Sequence, residues 1–176
     1  YEMWWIKQIL KVSKLDFNKK FFFQKKSFVV TIPYKSYFDV FPDKKNILKK
    51  QLFDLMDTLL SFPKIKIIFK THPRINSEYA KEYLKKYQNY KHRWIFSKSH
   101  LYSLANISDL FLCHIDTATI FDGIAFKIPV IQFWAALPNI DKVTKANSYF
   151  FKKKLSKKVK NKNELKRLIK NILSKR

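Results

Sequence analysis

Short apolar runs that alternate with amphipathic segments constrain this chain more than any other feature. Phe28-Val29-Val30-Thr31-Ile32 is the first run, and Pro33 stops it. Ile65 to Phe69, Trp94 to Phe96, Leu110 to Ile115 and Val130 to Phe133 follow. Near-continuous apolar runs of this length are what a strand buried on both faces of a parallel sheet requires. Between the first two runs, Leu48, Leu52, Leu55, Met56 and Leu59 recur at helical spacing, with Pro63 ending the helix. Tyr79, Tyr83, Leu84 and Tyr87 mark a second helical face, with Asn76 or Ser77 as its cap. A serine-capped helix carries Leu101, Leu104 and Ala105, and Thr117 to Lys127 reads as the next. In the last helix Asn163 is expected to cap, Glu164 favours the N-terminal dipole, and Leu165, Leu168, Ile169 and Ile172 share a face. Five strands alternating with such helices predict an α/β fold: a Rossmann-like open parallel sheet of about five strands with helices on both faces.

The 176 residues fit one domain that can bury a real core. Residues 1–26, with Trp4, Trp5 and Ile6 in a short amphipathic stretch, read as a lead-in or linker from a missing N-terminal domain. Residues 27–150 carry the strand and helix alternation, and 151–176 form a basic C-terminal segment and helix. Within that segment Lys152 to Lys160 reads as a solvated basic stretch. Hydrophobic content of 47% and aromatic content of 17% exclude a disordered chain. The longest apolar stretches, such as Pro129 to Leu137, are too short to span a bilayer. Tyr1–Leu10 has neither the basic start nor the cleavage site of a signal peptide. One cysteine, Cys113, excludes an internal disulfide and belongs to an apolar strand. These features predict a cytoplasmic location, with peripheral contact on the inner face of the plasma membrane as an option.

A net charge of +24 invites a nucleic-acid partner, yet only four of the 37 basic residues are arginine. Readers of nucleic acid favour the bidentate arginine fork. Lysine enrichment together with phenylalanine, isoleucine and asparagine fits an AT-rich genome, so no nucleic-acid partner is expected. Attraction to an anionic membrane suits the charge better.

No G-x-G-x-x-G and no P-loop occurs, which excludes the usual dinucleotide and ATPase sites. In open parallel sheets ligands bind at the carboxyl ends of strands. Two polar segments fall there: Lys70-Thr71-His72-Pro73-Arg74 after the second run, and His114-Ile115-Asp116-Thr117-Ala118-Thr119 after the fourth. Histidine and arginine in a proline-stiffened turn can donate to phosphate oxygens, although a lone His-Pro serves equally as a loop cap. Small hydroxyl residues at a helix start leave N–H groups open to an anion, although Asp116 or Thr117 can simply cap. His100 and His114 lack partners at metal-ligand spacing, and no D-x-D pair stands at a strand end, so no metal is expected.

Taken together the two segments resemble the GT-B glycosyltransferases that build capsules, lipopolysaccharide and teichoic acids. Phe69 to Arg74 is similar to their K-x-H-P-R element. Leu104, Asp109, Asp116-Thr117, Asp122-Gly123 and Pro129-Val130-Ile131 resemble a later element: an Asp before a strand, a Ser/Thr pair after it, and E-A leading to P-V-I. Val159 to Leu173 is similar to their closing helix. The resemblance covers roughly residues 27–175. It departs from the family pattern at Asp116, where a Ser or Thr is usual, and at Asp122, which replaces a Glu.

This resemblance implies the C-terminal, donor-binding half of a GT-B enzyme, with a nucleotide-activated sugar as donor and a polysaccharide or glycolipid as acceptor. It implies donor-phosphate contacts at His72, Thr117 and Thr119, supported by Arg74 and Lys70, and ribose or sugar contacts at Asp116 and Asp122. It also implies no cofactor, metal-independent transfer, and a catalytic base in the N-terminal half, so that these residues alone would be inactive. Two rivals remain. An epimerase-like domain of the same architecture would need carboxylates near the sugar carbon. A non-enzymatic basic module would bind RNA or anionic membrane with steep salt dependence.

Overall fold

Phe28, Val30 and Ile32 project to one side of strand β1 (Phe28–Tyr34) and Val29 and Thr31 to the other, and all five are buried. Only a strand flanked on both edges and covered on both faces meets that condition. In the computed structural model, which describes residues 27–34, 43, 45–71, 78–113, 119–133, 153–159 and 161–175, β1 lies inside a six-stranded sheet. After it come helix α1 (Lys45–Leu60), β2 (Ile65–Thr71), α2 (Glu78–Leu84), a 3₁₀ helix (Lys85–Arg93) and β3 (Trp94–Ser97). Then follow α3 (Leu101–Ala105), β4 (Leu110–Cys113), α4 (Thr119–Ala125), β5 (Val130–Phe133), β6 (Lys157–Val159) and α5 (Lys162–Ser174).

Every strand pair is parallel, in the order β3-β2-β1-β4-β5-β6. Val30 stands opposite Ile67 on one side and Leu110 on the other. Strand order runs outward from β1 in one direction and outward from β4 in the other. The switch point therefore falls between these two strands, which is where open sheets of this kind form their ligand crevice.

Helices cover both faces. On one, Leu52, Leu55 and Met56 of α1 and Leu165 and Ile169 of α5 join Val30, Ile67, Leu112 and Ile131 in a single core. On the other, Leu101 of α3 and Ile120 of α4 pack with Phe111, Cys113 and Val130, while Leu104 meets Val29 and Ile68. Burying each such leucine or isoleucine contributes about 1.5–3 kcal/mol relative to exposure. Cys113 is fully buried in this second core. Among the described residues no helix is long and apolar enough to cross a membrane.

Three sequence expectations need correction. The basic stretch Lys152 to Lys160 is not wholly solvated: Lys157–Val159 pairs with β5 as the sixth strand and buries Val159. Helix α5 is capped by Asn161, whose Oδ1 accepts from the Glu164 amide at 2.9 Å, and Asn163 is the second residue of the helix. Helix α3 is capped by His100 rather than a serine; its Nδ1 accepts from the Tyr102 amide at 3.4 Å. The expected caps Asn76 and Ser77 and the whole lead-in, with Trp4 and Trp5, lie outside the described residues.

Scarcity of glycine is resolved at the end of α4. The chain's only glycine, Gly123, lies within this helix, where a Cβ would overlap the Val130 Cγ2 methyl and stand 3.2 Å from Phe111 Cδ2. Gly123 thus lets α4 approach β4 and β5 closely. The turn that follows uses Lys127 at φ 57°, with the Ile128 amide donating to the Gly123 carbonyl at 2.8 Å and Lys127 to Ile124 at 3.0 Å. Glycine is usual at such a helix-ending position, and lysine there carries a conformational cost of about 1 kcal/mol.

Candidate donor site at the carboxyl edge

Lys70 sits near the carboxyl end of β2, in register with Pro33 of β1 and Ser97 of β3. Side chains alternate along a strand, so Lys70 leaves the sheet on the same side as Ile68, the side covered by α3 and α4. It is half-buried, and burial pushes its ammonium below the ordinary lysine value. A partly desolvated cation at a strand end interacts with phosphate more strongly than one in open water.

Asp122 lies in the first turn of α4, on that same side. Desolvation raises its carboxyl above the usual carboxylate range, opposed by the charge of His100. His100 stacks on Tyr102 with ring centroids 4.9 Å apart and an interplanar angle of 10°, and Tyr102 meets Phe126 at 5.3 Å. Asp122, His100 and the two aromatic rings thus form one neighbourhood between α3 and α4. A half-buried carboxyl beside an imidazole can exchange hydrogen bonds with sugar hydroxyls, and the rings add a flat apolar wall.

Of the residues expected from the sequence, the structure thus places Lys70 and Asp122 on one side of the sheet. Thr119 opens α4. His72, Arg74, Asp116 and Thr117 lie outside the described residues, as does the side chain of Thr119. Asp109 has a structural task. Its Oδ2 accepts from the Val29 amide at 2.7 Å and its own amide donates to the Val29 carbonyl at 2.8 Å, which fastens β4 to β1 at the switch point. Beside it, the hydroxyls of Thr31 and Ser108 share a hydrogen bond of 2.5 Å. The carboxyl end of β5 is tied to α1 by Gln51, whose Nε2 donates to the Phe133 carbonyl at 3.0 Å.

In the sequence His100 stands out only as a metal-ligand candidate without partners. Its position as the residue just before a helix is the signal that it caps, and capping is what brings its ring beside α4. Among the described residues no cluster of three or more His, Cys, Asp or Glu side chains could hold a metal ion.

No protein-family profile matches the sequence, and no curated protein matches it significantly. Solved structures do match. The C-terminal domain of the glycosyl transferase group 1 family protein LpcC from Francisella tularensis is 16% identical, with a TM-score of 0.51; the match covers 87% of this chain and 80% of that one. The UDP-GlcNAc 2-epimerase from Methanocaldococcus jannaschii, in complex with UDP-GlcNAc and UDP, is 19% identical with a TM-score of 0.51, covering 96% of this chain and 45% of that one. MnaA from S. aureus, bound to UDP, is 16% identical with a TM-score of 0.50, covering 84% and 37%. The chain spans less than half the length of the last two. At these identities the likeness defines the fold, which is that of the C-terminal half of GT-B proteins.

Proposed function

We propose that these residues form the donor-binding part of a metal-independent glycosyltransferase that moves a sugar or sugar-like unit from a nucleotide to a cell-envelope polysaccharide or glycolipid. The observation that carries this is the placement of Lys70 and Asp122. A half-buried cation stands one residue from the end of β2, directly before Thr71-His72-Pro73-Arg74, and a half-buried carboxyl stands on the same side of the sheet. Phosphates would be held by His72, Arg74, Lys70, Thr117 and Thr119, and ribose or sugar hydroxyls by Asp122 and Asp116. Cations around the leaving phosphate would stabilise the charge that develops as the glycosidic bond breaks. The acceptor and its base would come from an N-terminal half, at the cytoplasmic face of the membrane, and closure of the two halves would align the reacting atoms.

A second proposal, nucleotide-sugar epimerisation, draws support from the likeness to the epimerase structure. Product analysis separates the two. The chain and the full-length protein are incubated with nucleotide sugars, with and without acceptor. A transferase releases nucleotide only when the full-length protein meets an acceptor. An epimerase inverts a sugar carbon with no acceptor present, and that outcome would replace the first proposal. Robust transfer by residues 1–176 alone would place the base within them.

A further inference from the structure

The outer edge of β3 carries a concave site, two strands from the switch point and apart from Lys70 and Asp122. It is a cleft of about 630 Å³ lined by Lys81 of α2, Lys85 and Lys91 of the 3₁₀ helix, and Ile95 and Phe96 of β3. The 3₁₀ segment is kinked at Tyr87 (φ −105°, ψ 24°), which leaves Lys85 before the kink and Gln88 and Lys91 after it. All three line the cleft.

Two anchors hold the 3₁₀ segment in place. The Tyr87 hydroxyl reaches Asp57 Oδ1 at 2.7 Å, and Trp94 Nε1 donates to the Tyr87 carbonyl at 3.1 Å. The outward face is left to Lys85, Lys86, Gln88, Asn89, Tyr90 and Lys91, all exposed. No carboxylate occurs in the sequence between Glu82 and Asp109.

We propose that this cleft docks the domain on an anionic bilayer, taking phospholipid headgroups. Charge complementarity carries the proposal, and two features favour lipid over nucleic acid. The cations are lysines, point charges on flexible stems that suit a diffuse anionic surface better than the planar edges of bases. The site also pairs them with an apolar floor at Ile95 and Phe96, along which lysine stems can lie while their ammonium groups reach the headgroups. Docking through the β3 edge leaves the crevice between β1 and β4 open to donor. The proposal goes beyond the donor-binding function and does not depend on it.

The test is sedimentation of the chain with phosphatidylcholine vesicles, with and without about a third phosphatidylglycerol, in the absence of nucleotide. Binding should require the anionic lipid. Lys85→Gln/Lys91→Gln should weaken it about five-fold per lysine, roughly 25-fold in all, from ~1 kcal/mol per basic residue near an anionic surface. Lys85→Arg/Lys91→Arg should retain binding, and melting temperature should be unchanged in both pairs. Lys166→Gln/Lys170→Gln, the same charge change on exposed positions of α5, should alter binding less than two-fold. Equal losses from the cleft and α5 pairs, equal binding to neutral vesicles, or preferential capture by RNA would each overturn the proposal.

Discussion

Arg93 should be the polar side chain whose loss most damages this fold. Only 9% exposed, it reaches into the junction between α1 and β2. Its Nε donates to the Ile65 carbonyl at 3.1 Å, Nη1 to Leu60 at 3.0 Å, and Nη2 to Ile65 at 3.1 Å and to Phe62. One guanidinium therefore serves three carbonyls at a helix end and a strand start. Hydrogen bonds to a charged group contribute about 1.5–3 kcal/mol each, so simple addition would give roughly 4.5–9 kcal/mol for three. Three effects reduce that figure. The Phe62 carbonyl keeps the Ile65 amide as donor at 3.1 Å, and water can enter the space left near the surface. The burial that lowers the basicity of Arg93 is also a cost that alanine removes. A net loss of about 3–4 kcal/mol follows for Arg93→Ala. At roughly 2–4 °C per kcal/mol for a chain of this size, melting should fall by about 6–16 °C. Arg93→Lys keeps the charge but loses the fork and should fall between. Thermal and urea denaturation provide the assay. An Arg93→Ala variant melting within about 2 °C of wild type, or a lysine variant equal to wild type, would refute this account of the junction.

Gly123→Ala should destabilise, because overlap with Val130 costs about 1–3 kcal/mol against a helix-propensity gain of at most ~1; urea denaturation reads the sign. Asp122→Asn should raise the melting temperature near neutral pH and weaken donor binding. The raised carboxyl value means that, as pH climbs through the carboxylate range, the unfolded state releases this proton first and the native state loses relative stability. The gain should therefore shrink toward acid pH, and a gain independent of pH would point to another cause. His72→Ala should leave melting intact and weaken nucleotide binding by about 1.5–3 kcal/mol, the loss of one charge-assisted hydrogen bond, as read by calorimetry.

Where a burial pattern is long and one-sided, the sequence predicts the structure residue by residue. The stripe Leu48, Leu52, Leu55, Met56 and Leu59 is buried throughout, and β1 and β2 span the runs Phe28 to Ile32 and Ile65 to Phe69. Strand β6 escaped because its sequence, Lys157-Lys158-Val159, offers one apolar residue in three, and an edge strand needs no more. The 3₁₀ helix escaped because tyrosines at helical spacing continue the α2 pattern, whereas hydrogen bonds from Tyr87 and Trp94 decide the local winding. Asn161 and Asn163 offer the same capping chemistry two residues apart, and spacing alone does not choose between them. For the proposed donor site, the resemblance picks out Lys70 and Asp122 and includes Asp109 in its later element. Its fastening of β4 to β1 depends on strand order, which becomes visible only once β1 and β4 are neighbours.

The central claim is that the carboxyl edge of this sheet binds an activated nucleotide without a metal. Its most direct test is calorimetry of the purified chain against CMP, CDP, UDP, GDP and their sugars, with EDTA and then with magnesium. Selective binding of one nucleotide series, unchanged by EDTA and reduced by His72→Ala, is the predicted result. Binding that EDTA abolishes and magnesium restores, or equal response to every nucleotide and to RNA, would contradict it.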